Sequence, residues 1–138
     1  MADPFAPAID TVLTGLGYQC QQLAMPTYRD YDPAQPTVYI CPVSKPIIQW
    51  LAFQSKSNRQ AYDVVYAFKN ELNPALSAND VYDFKADVIE YFMGINSDMR
   101  TAGAWNTTAE DVTDYSRPLF AQGYTYSQIR VMVDYLSN

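Results

Sequence analysis

Histidine is the most informative absence in this chain. The 138 residues include no histidine and only two cysteines. Without histidine the Ser-His-Asp triad is excluded, and two cysteines do not supply the usual ligand set of a zinc site. The five glycines form none of the glycine-rich loops that cradle nucleotide phosphates. These absences favour binding or assembly over catalysis, and we expect no enzymatic activity, no cofactor and no metal.

Long apolar runs and clustered positive charge are also missing. No window approaches the roughly 18 apolar residues of a membrane span, and MADPFAPAID lacks the basic and apolar regions of a secretory signal. Nine Lys and Arg against fifteen Asp and Glu give a net charge of −6, and Lys56 with Arg59 is the closest basic grouping. Neutralising phosphates requires clustered cations. We therefore expect no membrane association and no specific nucleic-acid binding, whereas an acidic channel wall that repels DNA is compatible.

The two cysteines, Cys20 and Cys41, leave two alternatives. They can form one disulfide, or they can be two buried thiols, since free cysteine is among the most buried residue types. The absence of an export signal favours the reduced thiols.

Aromatic residues are abundant, with twelve Tyr, six Phe and two Trp. Tyr and Trp combine apolar area with a polar group and are enriched at interfaces. An aromatic core with ordinary surface tyrosines explains the count equally well. The hydrophobic fraction of 49% is sufficient for a core in one domain spanning residues 1–138.

Two segments have the signals of helices. Asp3-Pro4 supplies an N-cap residue and a proline at the first helical position, and apolar residues then recur at helical spacing as far as Leu16. Ser77 and Asp80 form a variant of the capping box before a second periodic segment that Gly94 closes. We predict helices over 4–16 and 78–93. The apolar face of the second, which we expect in the core, comprises Val81, Phe84, Val88 and Phe92.

Alternating or β-branched segments predict the strands. These are Tyr18–Met25, Thr37–Val43, Ile47–Gln54, Tyr62–Lys69, Tyr115–Gln122 and Gln128–Leu136. Polar turns are predicted at 56–58 and 123–125, which makes residues 47–68 an antiparallel hairpin. Pro26–Pro36 and Ile95–Asp111 lack a clear period and are predicted to be long loops.

The order of helix, strands, helix and two strands predicts an α+β fold. We expect an antiparallel or mixed sheet, with the N-terminal helix and the second helix, about 78–93, packed on one face.

Carboxylates are the only common catalytic groups present in number. Asp83, Asp87 and Glu90 recur at i, i+4 and i+7, which would align them on one helix face as a metal site or an acid–base pair. Nearby Lys85 favours a solvated, charge-balanced helix face instead.

The candidate interface residues are Tyr28, Tyr31 and Trp105. All three belong to the predicted long loops, and such loops in compact domains are usually functional. Trp50 lies in an apolar strand and is expected in the core, whereas Trp105 lies in a polar segment and suits contact with a partner. The alternative is that Trp105 folds back to cover the core.

Three segments carry a family resemblance: the helix Pro4–Leu16, the passage from strand Tyr62–Lys69 through Asn73-Pro74 into the helix Val81–Phe92, and the terminal strand Gln128–Leu136. Together they resemble the small neck proteins of tailed bacteriophages, the tail-terminator and head–tail connector group. The resemblance implies a non-enzymatic virion protein that forms a ring, typically a hexamer. That ring terminates the tail tube and joins it to the head connector. Its partners would be other neck and tail-tube proteins, and DNA would pass through it as cargo.

Two other interpretations stay open. One is a small cytoplasmic interaction module, an adaptor or inhibitor without enzymatic activity, and the other is an enzyme that uses carboxylates. The lack of histidine counts against the enzyme. Oligomeric mass distinguishes the ring from the interaction module.

Overall fold

The elements of the chain are defined in a computed structural model that describes residues 4–22, 36–42, 47–52, 55–73, 78–113 and 124–137. The helices are α1 (Phe5–Gly15), α2 (Ala78–Phe92) and α3 (Ser97–Ala102), with a 3-10 turn at Asn70–Leu72. The strands are β1 (Cys20–Gln22), β2 (Thr37–Pro42), β3 (Ile47–Ala52), β4 (Ser55–Lys69), β5 (Ala104–Asp111) and β6 (Tyr124–Ser137).

Six strands form one mixed sheet in the order β1-β2-β4-β6-β5, and β3 pairs with β4 outside that path. Strand β1 is parallel to β2, whereas the other pairs are antiparallel. The predicted α+β fold, with helices packed on a mixed sheet, is confirmed.

Strand β4 organises the sheet. It pairs with β6 along nearly its whole length, from Lys56 opposite Ser137 to Lys69 opposite Tyr124. Its other edge is shared, since β3 lies opposite its beginning and β2 lies opposite residues 62–67. An antiparallel hairpin is present within residues 47–68 as the β3–β4 pair, but β3 pairs with residues 55–59 and not with the predicted strand Tyr62–Lys69, which pairs with β2 and β6.

One face of the sheet forms the main core with the helices. Alternation places Tyr62, Val64, Tyr66 and Phe68 of β4 on this face, and all four are buried there. Helix α1 contributes Ile9 and Leu13, and α2 contributes Phe84, Val88 and Phe92, each 0% exposed, with Val81 packed against them. The apolar face expected from the spacing of α2 is the face that the sheet covers.

The opposite face is also buried at its centre. Val65 and Ala67 of β4 alternate with the core residues, and their register partners Tyr39 and Tyr126 lie beside them. All four are at most 3% exposed. The middle of the sheet is therefore buried on both sides.

The prediction of a long loop over Ile95–Asp111 is wrong, since this segment contains α3 and β5. Helix α3 has six residues, too few to show a period. Its ends are nevertheless specified: the side chain of Asn96 accepts a hydrogen bond from the amide of Met99 at 2.9 Å, and Gly103 ends it with a φ of 111°. Strand β5 is polar because it lies at the end of the sheet path.

Both predicted polar turns are also wrong. Residues 56–58 lie inside β4, and Tyr124 and Thr125 lie inside β6, while Gly123 is outside the described residues. Polar residues occur in these strands because a long two-stranded ladder supplies backbone partners whatever the side chains. Strands β4 and β6 are consequently longer than the apolar segments from which they were predicted.

The remaining differences concern the ends of elements. Helix α1 begins at Phe5 with Pro4 at the N-cap position and no side-chain cap, so Pro4 is not the first helical residue as predicted, and Asp3 lies outside the described residues. Within the described residues, β1 pairs with β2 over Cys20–Gln22, so Tyr18 and Gln19 precede the strand, whereas residues 23–25 of the predicted strand lie outside the described residues. The described chain has a third helix and a 3-10 turn beyond the two helices predicted. Ser77, the predicted loop from residue 26 to residue 35 and the predicted strand Tyr115–Gln122 lie outside the described residues.

No helix in the described part of the chain is long and apolar enough to cross a membrane.

Candidate interaction surface

Trp105 lies on a β-bulge and not in a loop. Ala104 pairs with Tyr135 and Asn106 pairs with Asp134, so Trp105 is the extra residue between two consecutive positions of β6. Its indole Nε1 donates a hydrogen bond to Oγ of Ser57 at 3.2 Å, and the residue is 49% exposed. The bulge therefore presents a large aromatic ring to solvent and fixes its polar edge to the sheet.

Leu136 extends this exposed apolar area. It lies directly opposite Ser57, the residue that Trp105 contacts, and it is 57% exposed. Arg59, two residues further along β4, has its side chain on the same face of the sheet. We call Trp105, Leu136, Ser57 and Arg59 the Trp105 surface.

A buried carboxylate holds Arg59 in place. Oδ1 of Asp134 accepts from Nε of Arg59 at 2.7 Å, and Oδ2 accepts from Nη2 at 3.1 Å and from Nδ2 of Asn106 at 3.3 Å. The Asp134 side chain is 6% exposed and that of Arg59 is 46% exposed. Hydrogen bonding and the charge of Asp134 raise the pKa of Arg59 above its ordinary value. The guanidinium is thus oriented by a bidentate pair while one side of it faces solvent.

A second ion pair joins the same two strands, with the carboxylate on β4 and the guanidinium on β6. Asp63 of β4 lies opposite Arg130 of β6, whose Nε donates to Oδ1 of Asp63 at 3.0 Å. Nε2 of Gln128 donates to Oδ2 of Asp63 at 2.6 Å. Alternating ion pairs therefore fix the registry of β4 and β6 on the face that carries Trp105.

The acidic residues of α2 do not behave as one solvated ridge. Asp83 and Glu90 are exposed, as expected, but Asp87 is half-buried and its Oδ2 accepts from the Tyr18 hydroxyl at 2.7 Å. Lys85 pairs with Asp111 of β5, Nζ to Oδ2 at 2.9 Å, so its charge links two elements. Among the described residues, no group of three or more Asp, Glu or Cys is arranged to hold a metal ion.

A cavity lies beside Tyr18. It has a volume of about 460 Å³. Its lining residues come from the turn before β1, the residue before β2, the core face of β4 and the end of the 3-10 turn: Gly17, Tyr18, Gln19, Pro36, Tyr66 and Asn73. The cavity and the Trp105 surface are two distinct features.

Of the three predicted interface residues, only Trp105 lies among the described residues. Tyr28 and Tyr31 fall outside them, as does the side chain of Trp50 in β3. Both cysteines are free thiols, and Sγ of Cys41 is buried and contacts the carbonyl oxygen of Asp63 at 3.8 Å.

The sequence reasoning missed Leu136, Arg59 and the Tyr18–Asp87 pair. A signal existed for Leu136, since the alternation of the last strand places it on the Asp134 face and away from the core. No comparable signal existed for the others, because their partners are 75 and 69 residues away in sequence.

No protein-family model matches the chain, and no curated protein matches it.

Proposed function

We propose that this protein is a non-enzymatic structural subunit of a tailed-phage neck or tail. It forms a ring, typically a hexamer, that terminates the tail tube and joins it to the head connector. Its location is the virion, its partners are copies of itself and other neck and tail-tube proteins, and DNA is cargo that it does not bind specifically.

The observation that carries this proposal is the Trp105 surface. An exposed tryptophan whose indole is already hydrogen-bonded loses little conformational freedom when a partner covers it. Trp and Arg are enriched among the residues that dominate the energetics of protein interfaces, and here a hydrogen-bonded Trp105 and an ion-paired Arg59 accompany an exposed leucine on one face of the sheet. The surface therefore has the composition of an assembly contact.

Two further features are consistent with a neck role. The sequence pattern resembles neck proteins in its first helix, in the passage from the central strand into α2 and in its last strand. The net charge of −6 suits a ring through which DNA passes, because like charge prevents adhesion to phosphates.

The decisive experiment is a cryo-electron microscopy structure of a phage particle that contains the protein. We expect copies arranged as a closed ring, with Trp105 covered by a neighbouring copy or by another subunit. If Trp105 faces bulk solvent in every copy, the assembly role assigned to this surface is wrong. If the protein is absent from particles and is found bound to a cytoplasmic protein, the interaction-module interpretation replaces the neck role.

A substitution gives a second test. Trp105→Ala removes the largest apolar group of the surface and should abolish incorporation into particles, since such residues often contribute about 2 kcal/mol or more to an interface. Tyr82→Ala is the matched control, because Tyr82 is an aromatic residue of α2 that is 64% exposed and lies away from the Trp105 surface. Circular dichroism of both variants verifies that they are folded.

A further inference from the structure

The cavity beside Tyr18 contains a polar group without a partner. Tyr66 is 6% exposed and lines the cavity, yet none of the described residues forms a hydrogen bond with its hydroxyl. Among the described residues, Ser127 Oγ is the one fully enclosed side-chain polar atom without a partner. Since the Tyr66 hydroxyl also has no partner among them, it is not fully enclosed. The small exposed part of Tyr66 therefore opens into the cavity, where a ligand can reach the hydroxyl.

The surroundings of the cavity are acidic. Burial and then the hydrogen bond to Asp87 raise the pKa of Tyr18 above its ordinary value, with smaller effects from the charges of Asp87 and Asp83. Burial and then the charge of Asp80 raise the pKa of Tyr66. Both hydroxyls thus stay protonated at neutral pH, and three carboxylates of α2 lie close enough to affect one or the other of them.

Aromatic rings form the wall behind these hydroxyls. The rings of Tyr18 and Tyr66 lie 5.8 Å apart, and both pack against Phe84, at 5.5 Å and 4.9 Å. Aromatic faces combined with nearby carboxylates favour an organic cation over an anion or a neutral group. The rigid core position of Phe84 keeps the two tyrosines fixed.

We propose that this cavity binds the guanidinium group of an arginine side chain carried by a segment of a partner protein. A planar guanidinium has five donors, so it can donate to the Tyr66 hydroxyl while it stacks on a ring, and the charge of Asp87, which accepts from the adjacent Tyr18 hydroxyl, stabilises the cation. A volume of 460 Å³ exceeds the space of one side chain and lies within the range of ligand sites, which leaves room for the flanking residues of the segment. The site is independent of the proposed neck role, because it lies apart from the Trp105 surface.

The test is a ¹⁵N–¹H NMR titration of the full chain with the blocked peptide acetyl-Gly-Arg-Gly-amide. We expect saturable shifts at Gly17, Gln19 and Asn73. The same peptide with citrulline, which has the shape of arginine without its charge, should bind about tenfold more weakly, as should the lysine peptide. Agmatine, which carries a guanidinium without a peptide backbone, should also bind more weakly than the arginine peptide.

Variants locate the site. Tyr66→Phe keeps the ring and removes the unpartnered hydroxyl, so the fold is preserved while affinity for the arginine peptide falls about tenfold. Asp87→Asn should weaken binding similarly. Asp98→Asn on α3 is the matched control, since it removes the same charge from an exposed position and should leave affinity unchanged.

Any of the following results would overturn the proposal. The first is no saturable shift at the cavity residues, and the second is equal binding of the citrulline peptide or equal weakening by Asp98→Asn. The third is agmatine binding as tightly as the peptide, which would assign the site to a small free cation and not to a partner segment. None of these results bears on whether Trp105 contacts a neighbour in a particle.

Discussion

Two buried hydroxyls differ in whether they have a hydrogen-bond partner. Thr107 and Ser127 are both 0% exposed. Oγ1 of Thr107 donates a hydrogen bond to the carbonyl oxygen of Gly94, whereas Oγ of Ser127 has no partner among the described residues. Because an unsatisfied buried hydroxyl costs free energy that a bonded one does not, the two positions should respond differently to removal of the group.

Ser127→Ala should therefore raise the free energy of unfolding by about 1 kcal/mol, because it removes an unpaired polar group and leaves almost no cavity. Thr107→Val, which removes a bonded hydroxyl of similar shape, should lower it by about 1 kcal/mol. Urea unfolding of both variants measures the difference. A clear loss of stability in Ser127→Ala would show that the hydroxyl has a partner, such as a buried water.

Residue-scale features were also the hardest to predict from the sequence. The polar neighbours of Trp105 left two alternatives, contact with a partner or folding back over the core, and the bulge that orients it depends on pairing with β6. The Asp63–Arg130 and Arg59–Asp134 pairs are adjacent only because β4 and β6 adopt one particular register. Pairs of this kind follow from tertiary structure, and local pattern contains no information about them.

At the scale of elements, α2 was predicted most accurately because its signals agree. Its apolar residues recur at helical spacing over fifteen residues, and they meet the apolar face of the sheet. By contrast, α3 and β5 were missed because a six-residue helix and a polar edge strand show little periodicity. The lengths of β4 and β6 were underestimated because backbone pairing, and not side-chain pattern, sets their ends.

Helix α2 provides the first prediction at this scale. Phe84 is 0% exposed and contacts the rings of Tyr18 and Tyr66. Phe84→Ala should lower the free energy of unfolding by roughly 3–5 kcal/mol, as expected for truncating a large core residue. Tyr82→Ala on the exposed side of the same helix should change it by less than about 0.5 kcal/mol. Near-wild-type stability of Phe84→Ala in chemical denaturation would contradict the packing of α2 on the sheet.

The junction of α3 and β5 provides the second prediction at this scale. Gly103 has a φ of 111°, and a Cβ there would meet no atom within 4 Å, so the cost of a side chain is purely conformational. Gly103→Ala should lower stability by about 1–2 kcal/mol. Gly15→Ala has the same free space but lies in helix α1, and it should leave stability unchanged or raise it by up to about 1 kcal/mol. Equal effects in thermal unfolding would contradict the left-handed conformation at Gly103.

At the scale of the whole molecule, exposed apolar groups among the described residues are confined to a few places, and several of the described cations are paired with carboxylates. The sheet is buried on both faces at its centre, so the large exposed apolar groups of the described chain are confined to the Trp105 surface and to Tyr82, Tyr91 and Met93 around α2. Among the described basic residues, Arg59, Lys85 and Arg130 are each paired with a carboxylate. Pairing reduces the positive charge that these side chains can offer to a phosphate backbone.

The protein should consequently bind duplex DNA only weakly at physiological salt, because scattered and paired cations release few counterions. Fluorescence anisotropy of a labelled duplex should show no saturable binding. A variant with Glu71, Asp98 and Glu110 changed to lysine is the comparison, since these exposed carboxylates are far apart in sequence and each change adds two charges, which brings the net charge from −6 to zero. That variant should gain measurable affinity that falls as salt rises. Sub-micromolar, strongly salt-dependent binding by the unmodified protein would contradict both the charge argument and the role of DNA as passing cargo.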